Sequence, residues 1–193
     1  MAVNLKIYLF RHGQSAYNRD QKFTGWDNPG LTKLGFKNAR TIAKKLKNKK
    51  FEIAIHTRLR RSKETLKEVL RYHPECKKLI QDDRMIERNY GELNGSTHEE
   101  FIKKYGKKVY DSIHRGYNVP PPHGESFAMV EKRAESFIKY LKKLMKKEKC
   151  NVAISAHGNS IRMFRKIMEK APIKDACSWF IPYDKVYEYT IKV

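Results

Sequence analysis

The stretch VNLKIYLFRHG, residues 3–13, decides how the chain is read. Val3, Leu5, Ile7 and Leu9 alternate with Asn4, Lys6, Tyr8 and Phe10, the period of a β-strand, and the pattern stops abruptly at Arg11. Residues 11–30 carry Gly13, Gly25, Pro29 and Gly30 and read as a long loop. A loop at the C-terminal end of a strand is where open α/β sheets place their ligands. Working outward, Thr32 is the expected N-cap of a helix that puts Leu34, Ala39, Ile42, Ala43 and Leu46 on one side. Ile53–His56 reads as a second strand leading into a helix through Leu66, Val69 and Leu70, and residues 79–80 as a brief further strand.

Residues 83–124 are less regular, with two or three short helical pieces and a proline run, Pro120–Pro122, that no helix interior accommodates. Ser126 then caps the longest expected helix, with Phe127, Val130, Ala134, Phe137, Ile138, Leu141 and Leu144 at helical spacing opposite a lysine-rich face. Strand Val152–Ser155 leads through His157-Gly158-Asn159-Ser160 into a helix containing Phe164, Ile167 and Met168, and strand Val186–Val193 ends the chain. Alternating strands and helices predict an α/β fold, a three-layer α/β/α sandwich around a mostly parallel sheet. Residues 1–193 are expected to form one domain, with 83–124 as a lid or insertion over the site.

Composition sets outer bounds. Of 193 residues, 40% are hydrophobic and 33% charged, which is globular rather than disordered. Lys and Arg number 42 against 21 Asp and Glu, a net charge of +21, so polyanions are natural partners: phosphorylated metabolites, nucleic acid or acidic membranes. No apolar run reaches the length of a transmembrane helix, and the alternating N-terminus does not resemble a signal peptide. Cys76, Cys150 and Cys177 have neither the number nor the spacing of a disulfide framework or zinc knuckle, so a cytoplasmic location is the expectation. A basic nucleic-acid-binding protein is a minor alternative. Its lysines, such as Lys44, Lys45, Lys139, Lys142 and Lys146, are spread over helix faces without interleaved aromatics.

Two strands end in matching histidine turns, Arg11-His12-Gly13 and Ala156-His157-Gly158-Asn159. In a parallel sheet both ends reach one rim, so His12 and His157 face each other across the chain. The glycine after each lets backbone approach a bound anion closely.

LFRHGQSAYN at 9–18 resembles the signature of the histidine phosphatase superfamily, and further blocks extend the likeness along nearly the whole chain. FTGW at 23–26, ERNYGELNG at 87–95, RGYNVPPP at 115–122, GES at 124–126 and SAHGNSIR at 155–162 resemble its 2,3-bisphosphoglycerate-dependent phosphoglycerate mutase branch, in the same order. The resemblance implies a phosphohistidine enzyme of glycolysis and gluconeogenesis that interconverts 3-phosphoglycerate and 2-phosphoglycerate, primed by 2,3-bisphosphoglycerate and needing no metal. A phosphomonoesterase on the same fold is the alternative. The partners implied are small phosphorylated metabolites rather than specific nucleic acid or membrane, and a homo-oligomer is compatible with the sequence.

The implied roles suit phosphoryl transfer, which is mostly positioning and electrostatic stabilisation. His12 is the nucleophile, its other ring nitrogen held by a backbone carbonyl. Arg11 and Arg61 bind phosphate oxygens, with Arg58 and Arg60 as alternatives to Arg61 if the register slips. His157 donates to the same oxygens, and Asn18, Gly158 and Asn159 complete the pocket. Glu87 is the proton donor and acceptor; beside Arg84 and Arg88 it must be desolvated, or sense the bound phosphate, to act as an acid. Thr24, Gly25, Tyr90 and Arg115 match positions around the glycerate. Two departures stand out: His98 replaces a lysine of the mutases, and His114-Arg115 replaces paired arginines. Both histidines are expected to grip the second anionic group in a pH-dependent way. The insertion usually found between the proline run and GES is missing. The chain also ends where longer mutases continue into a tail that shields the phosphohistidine, so phosphatase side activity is expected.

Overall fold

A computed structural model describes residues 3–192; Val193, the last residue of the expected final strand, lies outside the described residues. Strand β1 (Asn4–Arg11) sends Leu5, Ile7 and Leu9 into one core and Tyr8 and Phe10 into another, as period-two alternation requires. It is followed by α1 (Ala16–Arg19), α2 (Lys33–Leu46), β2 (Ile53–His56), α3 (Arg60–Leu70) and β3 (Lys78–Gln81). Two 3-10 turns (Asp83–Met85 and Gly91–Leu93), α4 (His98–Tyr105) and α5 (Lys107–Arg115) occupy the irregular region. Then come α6 (Phe127–Glu148), β4 (Val152–Ala156), α7 (Gly158–Glu169), α8 (Ile173–Ser178) and β5 (Val186–Lys192).

The five strands lie in the order β3-β2-β4-β1-β5. All neighbours are parallel except β1 and β5, which are antiparallel. One face of the sheet packs Tyr8, Phe10, Ala54 and Ala153 against Ile42, Ala43 and Leu46 of α2 and Leu66 and Val69 of α3. The other packs Leu5, Ile7, Leu9, Ile55 and Ile154 against Phe127, Phe137 and Leu141 of α6 and Ile161 and Phe164 of α7. Each such large side chain contributes about 1.5–3 kcal/mol by leaving water. The sheet and both helical layers therefore match the three-layer α/β expectation.

Differences from the sequence reading are local. The loop after β1 contains α1, nucleated by a capping box in which Ser15 and Asn18 satisfy each other's backbone N–H groups. Leu34 is 50% exposed and stands off the buried face of α2, where Gly35 is buried instead. Glycine is required there, because a Cβ on Gly35 would lie 2.1 Å from Gln14 O and one on Gly13 2.1 Å from Gly35 O. Gly13 therefore serves the close packing of loop on helix rather than anion approach. Helix α8 was not expected; β3 and the Ser126 cap of α6 were.

Helix α6 ends at Lys149, an exposed residue held in the left-handed region at φ 51°. A side chain there is disfavoured by about 1 kcal/mol, and glycine removes the cost. Lys149→Gly is expected to raise stability by about 0.5–1 kcal/mol, or roughly 1–4 °C in Tm. A thermal melt of variant and parent checks this, and an unchanged or lower Tm would show the strain is relieved elsewhere.

Candidate active site

The C-terminal ends of β1, β2 and β4 meet at one edge of the sheet, and the turns that follow them build the site. His12 follows β1, Arg61 lies in the first turn of α3 after β2, and His157 follows β4 as the N-cap of α7. All three are at most 1% exposed. The rings of His12 and His157 lie 4.9 Å apart, centroid to centroid.

The tautomer of His12 follows from its partners. Nδ1 lies 2.7 Å from Gly13 O, which can only accept, so Nδ1 carries the hydrogen. Nε2 is left with a lone pair, toward which Arg61 Nε donates at 3.2 Å. Burial, then the charges of Arg61 and Arg11, hold the imidazole well below its usual pKa of 6.5, so it is neutral. Arg61 is in turn locked by donating to Asp27 O at 2.8 Å and Gly25 O at 2.9 Å. Burial lowers its pKa to about 10, which still leaves it charged. Arg58, paired with Asp83 and stacked on Trp26, and Arg60, paired with Glu64, point elsewhere. This decides the register in favour of Arg61.

His157 Nε2 lies 2.8 Å from Thr57 Oγ1, which also accepts from Leu59 N at 3.4 Å. Among the described residues the threonine hydroxyl has no other acceptor, and we assign its proton to Nε2 and the imidazole hydrogen to Nδ1. That Nδ1 is buried without a partner, as is Nε of Arg11. Buried donors left unpaired cost about 1–3 kcal/mol each, and two beside one nucleophilic nitrogen describe a seat for an anion. Arg11 is otherwise fixed, with Nη1 donating to Ile181 O at 2.8 Å and the guanidinium over the Tyr183 ring at 4.2 Å.

Glu87 is 8% exposed, and its Oε1 accepts from Arg88 N at 2.8 Å and Asn159 N at 3.1 Å. The flanking arginines do not pair with it, which leaves the carboxyl unpaired as the proton-transfer role expected of it requires. Arg84 pairs with Asp82, and the Arg88 guanidinium turns away to Glu125 O, Ile113 O and Val119 O. Oε2 is the oxygen near Gly158, where a Cβ would lie 3.7 Å from it and 3.8 Å from Arg11 Cζ. One ligand-type atom from each of His12, Glu87 and His157 falls within 4.8 Å of the others, a cluster able to approach a cation. The guanidinium groups of Arg11 and Arg61 at the same place favour an anion instead.

Beside this cluster, bounded by its Arg11, Glu87 and Gly158, opens a cavity of about 390 Å³; His12, Arg61 and His157 lie behind its wall and do not line it. Arg11, Asn18, Thr24, Glu87, Tyr90, His98, His114, Arg115, Gly158 and Asn159 all line it, as the sequence reading placed them. Gly25 does not: it is buried with its carbonyl on Arg61, and its φ of 46° and the 2.1 Å approach of Asn94 Oδ1 to a Cβ leave room only for glycine. His98 and His114 reach the cavity but not as cations. Burial and the charge of Arg115 lower both, His114 to about 3, so the expected titration near pH 6.5 is replaced by neutral imidazoles. Lys22, Tyr110, Arg162, Phe180 and Tyr183 also line the cavity and were missed. Arg162 lies within the SAHGNSIR block four residues after Gly158, one helical turn on, which was the available signal. It donates to Trp179 O at 2.7 Å and to Asn159 Oδ1 at 2.5 Å, and Asn159 Nδ2 donates to Tyr90 OH at 3.2 Å.

Comparison with known proteins agrees with this geometry. Residues 7–192 match the sequence profile of the histidine phosphatase superfamily (branch 1). The 2,3-bisphosphoglycerate-dependent phosphoglycerate mutase of Parvibaculum lavamentivorans is 35% identical over 169 residues, covering 85% of this chain and 80% of that protein. In three dimensions the chain is similar to a phosphoglycerate mutase from Bacillus anthracis, with a TM-score of 0.78 and 21% identity over 98% of this chain and 89% of that one. It is also similar to a mycobacterial glucosyl-3-phosphoglycerate phosphatase, with a TM-score of 0.77 and 22% identity over 92% and 84%. At that identity the two structures speak for the fold alone. Among the described residues no helix is long and apolar enough to cross a membrane. The profile match and the extent of the mutase likeness place the chain in branch 1 of the histidine phosphatase superfamily.

Proposed function

We propose that the protein is a phosphoglycerate mutase working through a phosphohistidine on His12, primed by 2,3-bisphosphoglycerate. The observation that carries this reading is the pairing of a neutral His12 Nε2 with two buried, partnerless donors, His157 Nδ1 and Arg11 Nε. A phosphoryl group seated on them has the nucleophile at its phosphorus and positive charge at its equatorial oxygens, where the transition state needs it. His12 Nε2 takes a phosphoryl group from the bisphosphate as the P–O bond breaks, and Glu87 protonates the departing oxygen. In the return step the phosphoryl group passes from Nε2 to the free hydroxyl of a phosphoglycerate, whose proton goes to Glu87. Asn18 and Asn159 offer amides to the substrate, while Lys22, Arg115 and Arg162 supply positive charge along the cavity wall. Segment 83–124, which contributes Glu87, Tyr90, His98, Tyr110, His114 and Arg115, acts in this reading as a cover over the site.

Hydrolysis is the second reading, favoured by one observation: His98 and His114 line the cavity where the mutases carry fixed cations, and burial together with Arg115 lowers the pKa of both. A weaker hold on the second anionic group lets water compete for the phosphohistidine. Incubation with 3-phosphoglycerate, with and without 2,3-bisphosphoglycerate, separates the two. The mutase reading expects 2-phosphoglycerate to form faster than inorganic phosphate, with a strong dependence on the bisphosphate. Inorganic phosphate as the sole product, independent of the bisphosphate, sinks it.

A further inference from the structure

We infer that Arg133, seconded by Trp26, is the positioning residue that sets where the Glu87 carboxyl stands, although Arg133 does not itself line the cavity. The inference rests on the reading of Glu87 as proton donor and adds the device that aims it.

Glu87 sits on a stretch without regular structure, between the 3-10 turns Asp83–Met85 and Gly91–Leu93. No helix or sheet ladder fixes this backbone, so its polar groups must find other partners. The carbonyl of Glu87 accepts from Trp26 Nε1 at 2.8 Å and from Arg133 Nη2 at 3.1 Å. A carbonyl oxygen has two lone pairs, and both are taken here by side chains from distant elements. Arg133 Nη1 also donates to Arg84 O at 2.7 Å, three residues upstream. Downstream, Asn89 N donates to Glu125 Oε2 at 2.9 Å, and Asn89 O accepts from Glu125 N at 2.9 Å. Glu125 is in turn gripped by Arg133, Nε to Oε1 at 3.0 Å and Nη2 to Oε2 at 3.1 Å, a bidentate fork. One guanidinium thus ties the chain at residues 84 and 87 directly, and at residue 89 through Glu125.

The clamp has a rigid base. Arg133 lies on α6 between Val130 and Ala134, both fully buried in the core. What it controls is the remaining carboxylate oxygen. Glu87 Oε1 is occupied by Arg88 N and Asn159 N, which leaves Oε2 to meet the departing oxygen. Where Oε2 lies depends on where the backbone of residue 87 is held, and a misplacement of ~1 Å in a reacting group costs on the order of 10²-fold in rate. A planar fork reaches the Glu125 carboxylate, Arg84 O and Glu87 O together. A lysine ammonium is a point charge on a flexible stem and does not.

Arg133→Lys therefore tests the idea, because it keeps a positive charge beside Glu125 and loses the fork. Turnover of 3-phosphoglycerate with 2,3-bisphosphoglycerate is counted as 2-phosphoglycerate plus inorganic phosphate, so transfer and hydrolysis register alike. The comparison is the burst of 4-nitrophenolate from 4-nitrophenyl phosphate, whose leaving group needs no proton. Arg133→Lys is expected to lower kcat on phosphoglycerate about 10–100-fold, with KM and the 4-nitrophenolate burst rate each within about threefold of the parent. In a Glu87→Gln background the same change should cost less than about twofold more, since no proton remains to be aimed. Trp26→Phe removes the other donor to the same carbonyl from a residue 38% exposed, and should show the same selectivity at smaller size. Circular dichroism and Tm check folding, and Trp26→Phe carries the comparison if Arg133→Lys does not fold. Equal losses on the two substrates, or a loss undiminished by Glu87→Gln, would make Arg133 merely structural and overturn the inference. A large loss in Glu87→Gln beside parental turnover in Arg133→Lys removes the inference alone. Parental turnover in Glu87→Gln removes the reading of Glu87 and the inference with it.

Discussion

His12→Ala is expected to lower phosphoryl transfer from any phosphate ester by at least ~10³-fold while leaving the protein folded. No neighbour can substitute: His157 is tied through Nε2 to Thr57, and its Nδ1 bears hydrogen rather than a lone pair. The substitution leaves Arg61 Nε without its acceptor, so a loss of about 1–2 kcal/mol in stability is expected beside the loss of activity. The parent should also form a phosphoenzyme that is labile in acid and stable in base, and the variant should form none. The pH dependence follows from the direction of the His12 shift. A pKa held below 6.5 keeps the imidazole unprotonated as pH falls through 6.5, so phosphoenzyme formation should persist at pH 6 instead of halving near 6.5. Rapid-quench measurement of labelled enzyme between pH 5.5 and 8 reads this directly. A variant that retains a tenth of parental turnover, or label that survives acid, would remove His12 from the mechanism.

Glu87→Gln is expected to cost about 10²–10⁴-fold in kcat for the phosphoglycerate reaction with little change in the fold. The amide oxygen can still accept from Arg88 N and Asn159 N, so the substitution removes the transferable proton and little else. A substrate whose leaving group needs no proton, such as 4-nitrophenyl phosphate, should lose less than about tenfold in the step that forms the phosphoenzyme. Equal losses on both substrates would mean that Glu87 orients the N-terminus of α7 and transfers no proton.

Much of this site was legible because its chemistry is concentrated where strands end. The alternation of residues 3–10 stops at Arg11, and the run Val152–Ser155 stops before His157, so both histidines could be assigned to one sheet edge. Arg61 needed the structure to separate it from Arg58 and Arg60, since three arginines in four residues differ only in which way the first turn of α3 faces. What the sequence concealed was environment. Burial beside Arg115 makes His98 and His114 neutral, and burial is a property of packing that a list of residue types does not carry. Phe180 and Tyr183 were missed for a related reason: they reach the cavity through a loop whose path is set by the carbonyl bonds of Arg11 and Arg162. Leu34 was misplaced because helical spacing admits two faces, and the close approach of Gly13 and Gly35 chooses between them.

The strand order β3-β2-β4-β1-β5 has a consequence for how the protein comes into being. β4 sits between β2 and β1, yet it is the fourth strand in sequence, some 150 residues along. Without Val152–Ala156, β1 and β2 have no strand-to-strand hydrogen bonds, and only side-chain contacts such as Arg61 to His12 join their C-terminal ends. Pairing at such sequence separation is entropically costly and slow, so the central strand closes the sheet late and cooperatively. Insertion of β4 brings the C-terminal ends of β1 and β2 to one sheet edge in a single step.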